Sequence, residues 1–313
     1  MSSGAPAPAD RHRAERVWDA KRPVDVRGTL GALKRGTGDP AHRIDPAGRF
    51  WSACATPDGA GTLAVSAAGG VVTAWAWGPG AEWLLHRLPT MLGEDDDWSS
   101  LDVSAVPVLH AARRSRPGLR LVNTGLVLEA LVPAILEQKV TGDEARRSWR
   151  LLLRRFGTPA PGPVEGMFVP PSAQTLLTVP TWDWHRFGVD LKRQRAVRAA
   201  ASVARRLEEC VTMSPADALN RLQLVPGVGL WTAAETAQRA FGHPDAVSVG
   251  DYHLKNMVVY LLTGRPRGSD EEMLQLLAPW TGQRQRVMRL VEATGIGAPR
   301  YGPRFAYTDI RAI

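Results

Sequence analysis

Residues 221–259 constrain this chain most, and they read RLQLVPGVGLWTAAETAQRAFGHPDAVSVGDYHLKNMVV. Apolar residues at helical spacing precede a Pro-Gly-Val-Gly turn at 226–229, and the same spacing resumes over 230–241. After a second turn, a glycine leads Asp251 into another run with helical spacing. The stretch therefore predicts two helices joined by a tight hairpin, with a carboxylate at the start of a third helix.

The turn at 226–229 has the properties of an anion site. Gly227 and Gly229 allow a ligand to approach the backbone closely and tolerate positive φ. The helix that follows directs unpaired N–H groups and the positive end of its dipole at the same point, where phosphate is the usual anion. An ordinary corner between two helices would also contain Pro and Gly, so the hairpin alone leaves both interpretations open.

The position of Asp251 adds a second signal, because it stands 22 residues after Gly229. In isolation, an Asp at this point would be interpreted as a helix N-cap. Taken together, the stretch resembles the helix-hairpin-helix DNA glycosylase superfamily, and within it the alkylated-base branch, 3-methyladenine DNA glycosylase II. That branch has Pro-Gly-aliphatic-Gly-x-Trp-Thr-Ala, as residues 226–233 do, and its catalytic Asp precedes Tyr, as Asp251 precedes Tyr252.

The resemblance implies that the chain extrudes a damaged base from duplex DNA and cleaves its bond to the sugar. Asp251 would stabilise the oxocarbenium-like sugar electrostatically and orient the attacking water. One carboxylate would suffice, because an alkylated purine is already a cationic leaving group. The residues implied to bind the DNA backbone are Pro226, Gly227, Val228, Gly229 and Thr232.

Trp231 bears on the type of reaction. Lyase-active relatives have a Lys two residues after the second hairpin glycine, and this amine forms a Schiff base with the sugar. Trp231 has no amine, so the resemblance implies monofunctional hydrolysis that leaves an abasic site. The same side chain could form a wall of the base pocket or simply anchor the hairpin helix in the core.

Gln138 and Lys139 resemble the end of the family helix from which a wedge side chain enters the duplex. Lys139 departs from the apolar residue common at this position, although its stem could fill the gap and its head could bind phosphate. Both residues would also suit a plain polar helix end. They are nevertheless included among the predicted DNA contacts.

The predicted base pocket departs from the family at Glu235, where the best-known relatives have an aromatic ring. A carboxylate there could attract a cationic base or accept a hydrogen bond from an amine, but a surface Glu is equally compatible with the sequence. Trp182 and Trp184 are candidates for the missing aromatic groups, with packing between helices as the alternative. Trp231 and Tyr252 complete the predicted pocket.

The family also holds a monovalent cation, Na⁺ or K⁺, on hairpin carbonyls, which correspond to those of Gln223, Val225 and Val228. An organic cofactor is not implied. Some relatives carry an iron–sulfur cluster bound by four cysteines, which is excluded here because Cys54 and Cys210 are the only cysteines.

The wider pattern predicts an α+β fold, with an N-terminal antiparallel β module followed by a mostly helical, two-lobed glycosylase domain. Predicted strands cover 50–55, 61–66 and 71–77, a Pro/Gly linker covers 159–171, and one long basic helix covers 191–210. The predicted boundaries are a flexible tail at 1–13, the β module at 14–112 and the helical domain at 113–313.

The net charge of +8 suits a polyanionic partner, although a bias towards Arg codons would produce the same charge. No stretch reaches the roughly 18–20 apolar residues of a membrane span, and the N-terminus lacks an apolar signal core. Few cysteines indicate a reducing compartment. These observations predict a cytoplasmic or nucleoid-associated monomer that acts on double-stranded DNA containing damaged bases, without a membrane partner.

Two alternatives remain from the sequence. One keeps the enzyme but changes its substrate to a deaminated or oxidised base, because Glu235 is unusual for the alkylated-base branch. The other is a non-catalytic helix-hairpin-helix protein that binds damaged DNA, although the presence of Asp251 argues against it.

Overall fold

The computed structural model describes residues 13–299 of the 313-residue chain. Its N-terminal part is a five-stranded antiparallel sheet in the order β1-β5-β4-β3-β2. Gly59, which ends the turn into β4, and the two glycines between β4 and β5 adopt positive φ, which glycine tolerates without strain. The strands are β1 Arg13–Asp19, β2 His42–Ile44, β3 Phe50–Thr56, β4 Gly59–Ala68 and β5 Val71–Trp77.

The two faces of this sheet bury different partners, because successive side chains in a strand point to opposite sides. On one face, Leu63 and Val65 pack with helices α1 (Val26–Leu30) and α2 (Ala81–Met91). On the other face, the rings of Trp51 and Trp77 stack with centroids 5.4 Å apart.

The segment predicted as a Pro/Gly linker covers this second face of the sheet. It contains a short hairpin, β6 (Thr158–Pro159) with β7 (Phe168–Val169), and its Val164 and Met167 are buried against Trp51 and Trp77. The linker prediction was therefore wrong, because a Pro- and Gly-rich composition does not reveal the two apolar side chains that dock on the sheet.

The rest of the described chain is helical and packs around two separate apolar cores. One core joins the central helices of the chain, including α4, α5, α8, α10 and α11. The other joins α3 to the last three helices. The helices are α3 Pro107–Ser115, α4 Val127–Leu136, α5 Gly142–Phe156, α6 Ala173–Thr178, α7 Thr181–Arg186, α8 Leu191–Ser202, α9 Ala204–Glu208, α10 Pro215–Gln223, α11 Leu230–Ala240, α12 Leu254–Thr263, α13 Asp270–Leu277 and α14 Arg284–Ala293.

The predicted α+β class, with a β module and two helical lobes, is confirmed. The long basic helix at 191–210 is instead two helices, because Val203 leaves helical geometry at φ −116° and ψ 17°. Helix α3 crosses the predicted boundary at 113 and packs on α14, and the domain boundaries stay a prediction. Residues 1–12 of the predicted tail lie outside the described residues, whereas Arg13 belongs to β1.

Among residues 13–299, no helix combines the length and the apolar character that crossing a bilayer requires.

Asp39 links the β module to helix α5 through a buried carboxylate. Its Oδ1 accepts hydrogen bonds from the Ala41 amide at 3.0 Å and the Trp149 indole at 3.1 Å, and Oδ2 accepts one from the Arg35 amide at 2.7 Å. Burial opposes ionisation, but the nearby His42 and the two amide donors outweigh it and lower the pKa of Asp39 to about 2. The ionised carboxylate therefore stabilises the folded state.

We expect this stabilisation to depend on pH. Because the folded pKa of Asp39 lies below the value of 3.8 for an unperturbed Asp, the contribution is complete above that value and is lost as pH falls towards 2. Denaturant unfolding should show Asp39→Asn to be less stable by about 2 kcal/mol at pH 7, with the difference shrinking below pH 4. A difference that stays constant across this range would contradict the assignment.

Candidate active site

The hairpin between α10 and α11 is held by its own backbone and by helix α8. The Val228 amide donates to the Val225 carbonyl at 2.9 Å, which closes the turn. Gly227 has φ +89°, and a Cβ added to it would lie 2.8 Å from the Cβ of Ala196 in α8. Both observations require glycine at this position, so the hairpin can pack closely against α8 while its outer side remains exposed.

Helix α11 begins immediately after the hairpin and has no side-chain cap at Gly229. A Cβ added to Gly229 would meet no atom within 4 Å, so the space beside the helix start is open. Two apolar side chains flank it, since Leu224 is 81% and Leu230 66% exposed. The uncapped helix start is therefore accessible from solvent, and phosphate binding by residues 226–229 and Thr232 stays a prediction.

The end of helix α4 is bound to this hairpin through Gln138. Its Nε2 donates to the Gly227 carbonyl at 2.9 Å and to the Thr232 hydroxyl at 2.8 Å. The next residue, Lys139, is exposed and has φ +53°, a strained backbone for a residue with a side chain. Gln138 thus positions the hairpin, and direct DNA contacts by Gln138 and Lys139 stay a prediction.

Asp251 lies between the start of helix α12 and the first turn of helix α11. Its Oδ1 accepts hydrogen bonds from the amides of His253 at 2.8 Å and Leu254 at 2.9 Å. Its Oδ2 accepts one from the indole of Trp231 at 3.3 Å. One carboxylate oxygen therefore satisfies backbone amides at the helix start, and the other meets the hairpin helix.

A cavity of about 260 Å³ lies beside Asp251. The lining of this cavity is rich in polar and charged groups and contains two Met side chains. Helix α11 contributes Glu235, Gln238 and Arg239, the α11–α12 connection contributes Ser248, Asp251 and His253, helix α12 contributes Leu254 and Met257, and helix α14 contributes Gln285, Met288 and Glu292.

Glu235 belongs to the wall of this cavity rather than to the outer surface. Its Oε2 pairs with Arg239 at 2.7 Å, and its Oε1 accepts a hydrogen bond from the Ser248 hydroxyl at 2.5 Å. Burial alone would raise the pKa of Glu235, but the Arg239 charge and the Ser248 hydroxyl outweigh it and keep the pKa below its ordinary value. Glu235 is therefore ionised at neutral pH and held in place.

The predicted aromatic residues do not line the cavity. Trp184 is completely buried in the helical core beside Phe187, and Trp182 is 66% exposed on α7. Tyr252 is exposed and meets the His253 ring edge-on at 5.0 Å. The pocket role expected for Trp182 and Trp184 is therefore corrected, and packing between helices, the alternative left open by the sequence, describes Trp184.

The carbonyls predicted to hold a monovalent cation lie at the end of α10 and in the hairpin. The Val225 carbonyl accepts one hydrogen bond, from the Val228 amide, so its second lone pair is available. The cation at Gln223, Val225 and Val228 stays a prediction. Within 13–299, no cluster of three or more His, Cys, Asp or Glu side chains is arranged to hold a metal ion. Cys54 and Cys210 are buried in different cores.

Known proteins share both the fold and part of the sequence. No protein-family model matches the chain. A structure described as 3-methyladenine DNA-glycosylase from Archaeoglobus fulgidus matches with a TM-score of 0.71 and 16% identity, over 90% of this chain and 98% of that one. The chain therefore shares the fold of this glycosylase.

The chain is also similar in sequence to parts of two curated proteins. Over 160 residues, it is 32% identical to the probable bifunctional transcriptional activator/DNA repair enzyme AlkA of Mycobacterium tuberculosis, covering 49% of this chain and 31% of that protein. It is 23% identical to the DNA-3-methyladenine glycosylase of Bacillus subtilis over 197 residues, covering 59% of this chain and 65% of that protein. The matches thus span about a third and just under two thirds of these relatives.

Sequence reasoning missed the contribution of helix α14 to the cavity beside Asp251. Gln285, Met288 and Glu292 follow one another at spacings of three and four, which is one face of a helix. Gln285 is the one polar residue on the otherwise apolar buried side of α14, and this interruption was the available signal.

Proposed function

We propose that this chain is a monofunctional DNA N-glycosylase of base excision repair. It extrudes an alkylated purine, of the 3-methyladenine or 7-methylguanine type, from double-stranded DNA and releases it hydrolytically, leaving an abasic site. The observation that carries the proposal is the position of Asp251, which lines a cavity and accepts a hydrogen bond from the hairpin helix.

The proposed DNA contacts follow from the exposed hairpin. The uncapped start of α11 binds a backbone phosphate, and the net charge of +8 favours the polyanion. Lys139, on its strained backbone beside the hairpin, fills the space left by the extruded nucleotide. Extrusion costs a few kcal/mol and is easiest for a damaged base. A monomer supplies all of these groups, and the enzyme acts on chromosomal DNA in the cytoplasm or nucleoid.

Asp251 carries the proposed chemical step. As the bond to the base breaks, positive charge develops on the sugar, and a carboxylate in a site with little water stabilises that charge. Two backbone amides hold Oδ1, so the carboxylate is oriented before the substrate arrives. The attacking water is directed by the same group. Three carboxylates, of Asp251, Glu235 and Glu292, face one guanidinium, of Arg239, in the cavity lining, and this excess of negative charge favours a cationic methylated purine.

Hydrolysis without strand cleavage is proposed because the cavity lining offers no amine nucleophile. Trp231 stands at the position of the Schiff-base Lys of lyase-active relatives, and its indole is bound to Asp251. The cation in the cavity lining is Arg239, a guanidinium already paired with Glu235, and the described lining contains no lysine.

The proposal is tested by measuring base release from duplexes that contain 3-methyladenine, 7-methylguanine, hypoxanthine, uracil or 8-oxoguanine. We expect the methylated purines to be released fastest, with an intact strand at the abasic site and without trapping by borohydride. Strand cleavage by β-elimination would contradict the role assigned to Trp231. A preference for hypoxanthine or 8-oxoguanine would favour a neutral lesion, which the polar cavity lining could also accept.

A further inference from the structure

We infer that the side-chain amide of Gln285 recognises the extruded base through its hydrogen-bonding edge. The substrate class would then be purines that present an exocyclic donor or acceptor next to a ring nitrogen, rather than any base with a weakened bond to its sugar. This inference rests on the proposed function, because it assigns a recognition residue to the same cavity.

The first observation is that Gln285 is buried without a side-chain partner. The residue is 4% exposed, and its backbone amide donates to the Pro244 carbonyl at 2.8 Å. Its side-chain amide takes part in none of the hydrogen bonds among residues 13–299. Its nitrogen and oxygen are not among the fully enclosed side-chain atoms of the described residues that lack a partner, so they border open space. Because buried amides in proteins are nearly always paired, an amide left open in this way is available to a ligand.

The second observation is that the amide borders the cavity beside Asp251. Gln285 and Met288 lie on the same face of α14 as Glu292, and all three line the cavity. Asp251 lines the same space from the start of α12. A base lying in the cavity with its sugar near Asp251 would therefore meet the Gln285 amide.

The third observation is that the other buried polar groups of the cavity are already occupied. Glu235 is held by Arg239 and by Ser248. The Nε2 of Gln238 donates to the Ala246 carbonyl and to the Ser248 hydroxyl, both at 2.9 Å. These groups stabilise one another and shape the cavity. The side-chain amide of Gln285 therefore remains available to bind a ligand.

The donors and the acceptor of the Gln285 amide determine which bases it can recognise. Gln offers donors on nitrogen and an acceptor on oxygen side by side, and in DNA recognition it forms paired hydrogen bonds with an adenine edge. Met257 and Met288 add polarisable apolar surface that suits a flat ring. The combination favours a purine with an intact polar edge.

The test compares two free bases that differ only in the exocyclic amine, 3-methyladenine and 3-methylpurine. Their affinities are measured by calorimetry for the full chain, for Gln285→Met and for the matched control Gln275→Met, in which an exposed Gln of α13 is changed. We expect the full chain and the control to bind 3-methyladenine about tenfold or more tightly than 3-methylpurine. Gln285→Met should bind both equally.

A stability measurement separates recognition from folding. Met is close to Gln in size and has no amide to leave unpaired, so Gln285→Met should unfold at the same temperature as the original chain or higher. A loss of selectivity in a variant of undiminished stability therefore reports on recognition.

Base release from methylated DNA, measured in parallel, distinguishes failure of the inference from failure of the proposed function. Selective binding that depends on Gln285, without release by the unaltered chain, supports the inference and rejects the glycosylase. Release by a chain whose selectivity survives Gln285→Met supports the glycosylase and overturns the inference. Equal affinity of the unaltered chain for the two bases, or binding of neither, also overturns it.

Discussion

Replacing Asp251 by Asn is expected to slow base release by about 100- to 1000-fold, the range typical for removing one electrostatic group from a transition state. The variant cannot place a negative charge beside the developing sugar cation. Asn still offers an oxygen to the amides of His253 and Leu254, and Asn is as good a helix N-cap as Asp, so the fold should be retained. Single-turnover base release and the affinity for lesion-containing duplex measure the two effects.

The matched control for this substitution is Asp58→Asn, which makes the same chemical change in the exposed turn between β3 and β4. It should leave release and binding unchanged. Release by Asp251→Asn at the original rate would show that the charge is not required. Loss of folding in Asp251→Asn would show that the helix start requires the carboxylate.

Arg239→Met is expected to lower the free energy of unfolding by about 3–5 kcal/mol, because it leaves the buried Glu235 carboxylate without its counter-charge. The two side chains are 17% and 13% exposed. Arg239 also donates to the Ala32 carbonyl at 3.1 Å, which ties α11 to the β module. Denaturant unfolding measures the loss, and the exposed pair Arg146–Asp143 provides the control Arg146→Met, which should cost less than about 1 kcal/mol.

The loss of stability caused by Arg239→Met should become smaller as the pH falls. In the unaltered chain, the pKa of Glu235 is lowered, so its ionised form contributes stability above the ordinary pKa of Glu, and this contribution is lost as pH falls through the lowered pKa. Without Arg239, burial raises the pKa of Glu235, and protonation then relieves the unpaired charge. The deficit should shrink in mild acid and in the double variant Glu235→Gln/Arg239→Met. An unchanged deficit in both cases would contradict the ion-pair explanation.

The parts of the fold that could be predicted from the sequence are specified by residues that lie close together in the chain. Strand β5 was predicted with the bounds that the structure has, because alternating residues lie between Gly turns. The hairpin and helix α11 were found because Pro and Gly fix the turn and apolar spacing resumes after it. Asp251 was identified by its distance from the hairpin, and the structure brings it to Trp231.

The parts missed from sequence depend on contacts between distant residues. Strand β1 is not among the predicted strands and its first residue, Arg13, was assigned to the tail, because its charged residues form an edge strand only once β5 is beside it. The sequence could not distinguish a role for Trp184 in the base pocket from packing in the core, because its burial depends on helices elsewhere in the chain. Gln285 carries no motif, and only the packing of α14 brings it opposite Asp251.

Helix α11 carries the uncapped start next to the hairpin, the Trp231 indole that meets Asp251, and the Glu235–Arg239 pair of the cavity wall. These groups lie on one α-helix, in which each residue advances about 1.5 Å along the axis and turns about 100° around it. The number of residues between two of these groups therefore fixes the angle between their side chains around the helix axis. A single inserted residue between Trp231 and Glu235 would leave the hairpin end of the helix intact while rotating the cavity wall by about 100°. We therefore expect the helix to tolerate substitutions but not changes of length, which should be tolerated only in the connections that flank it.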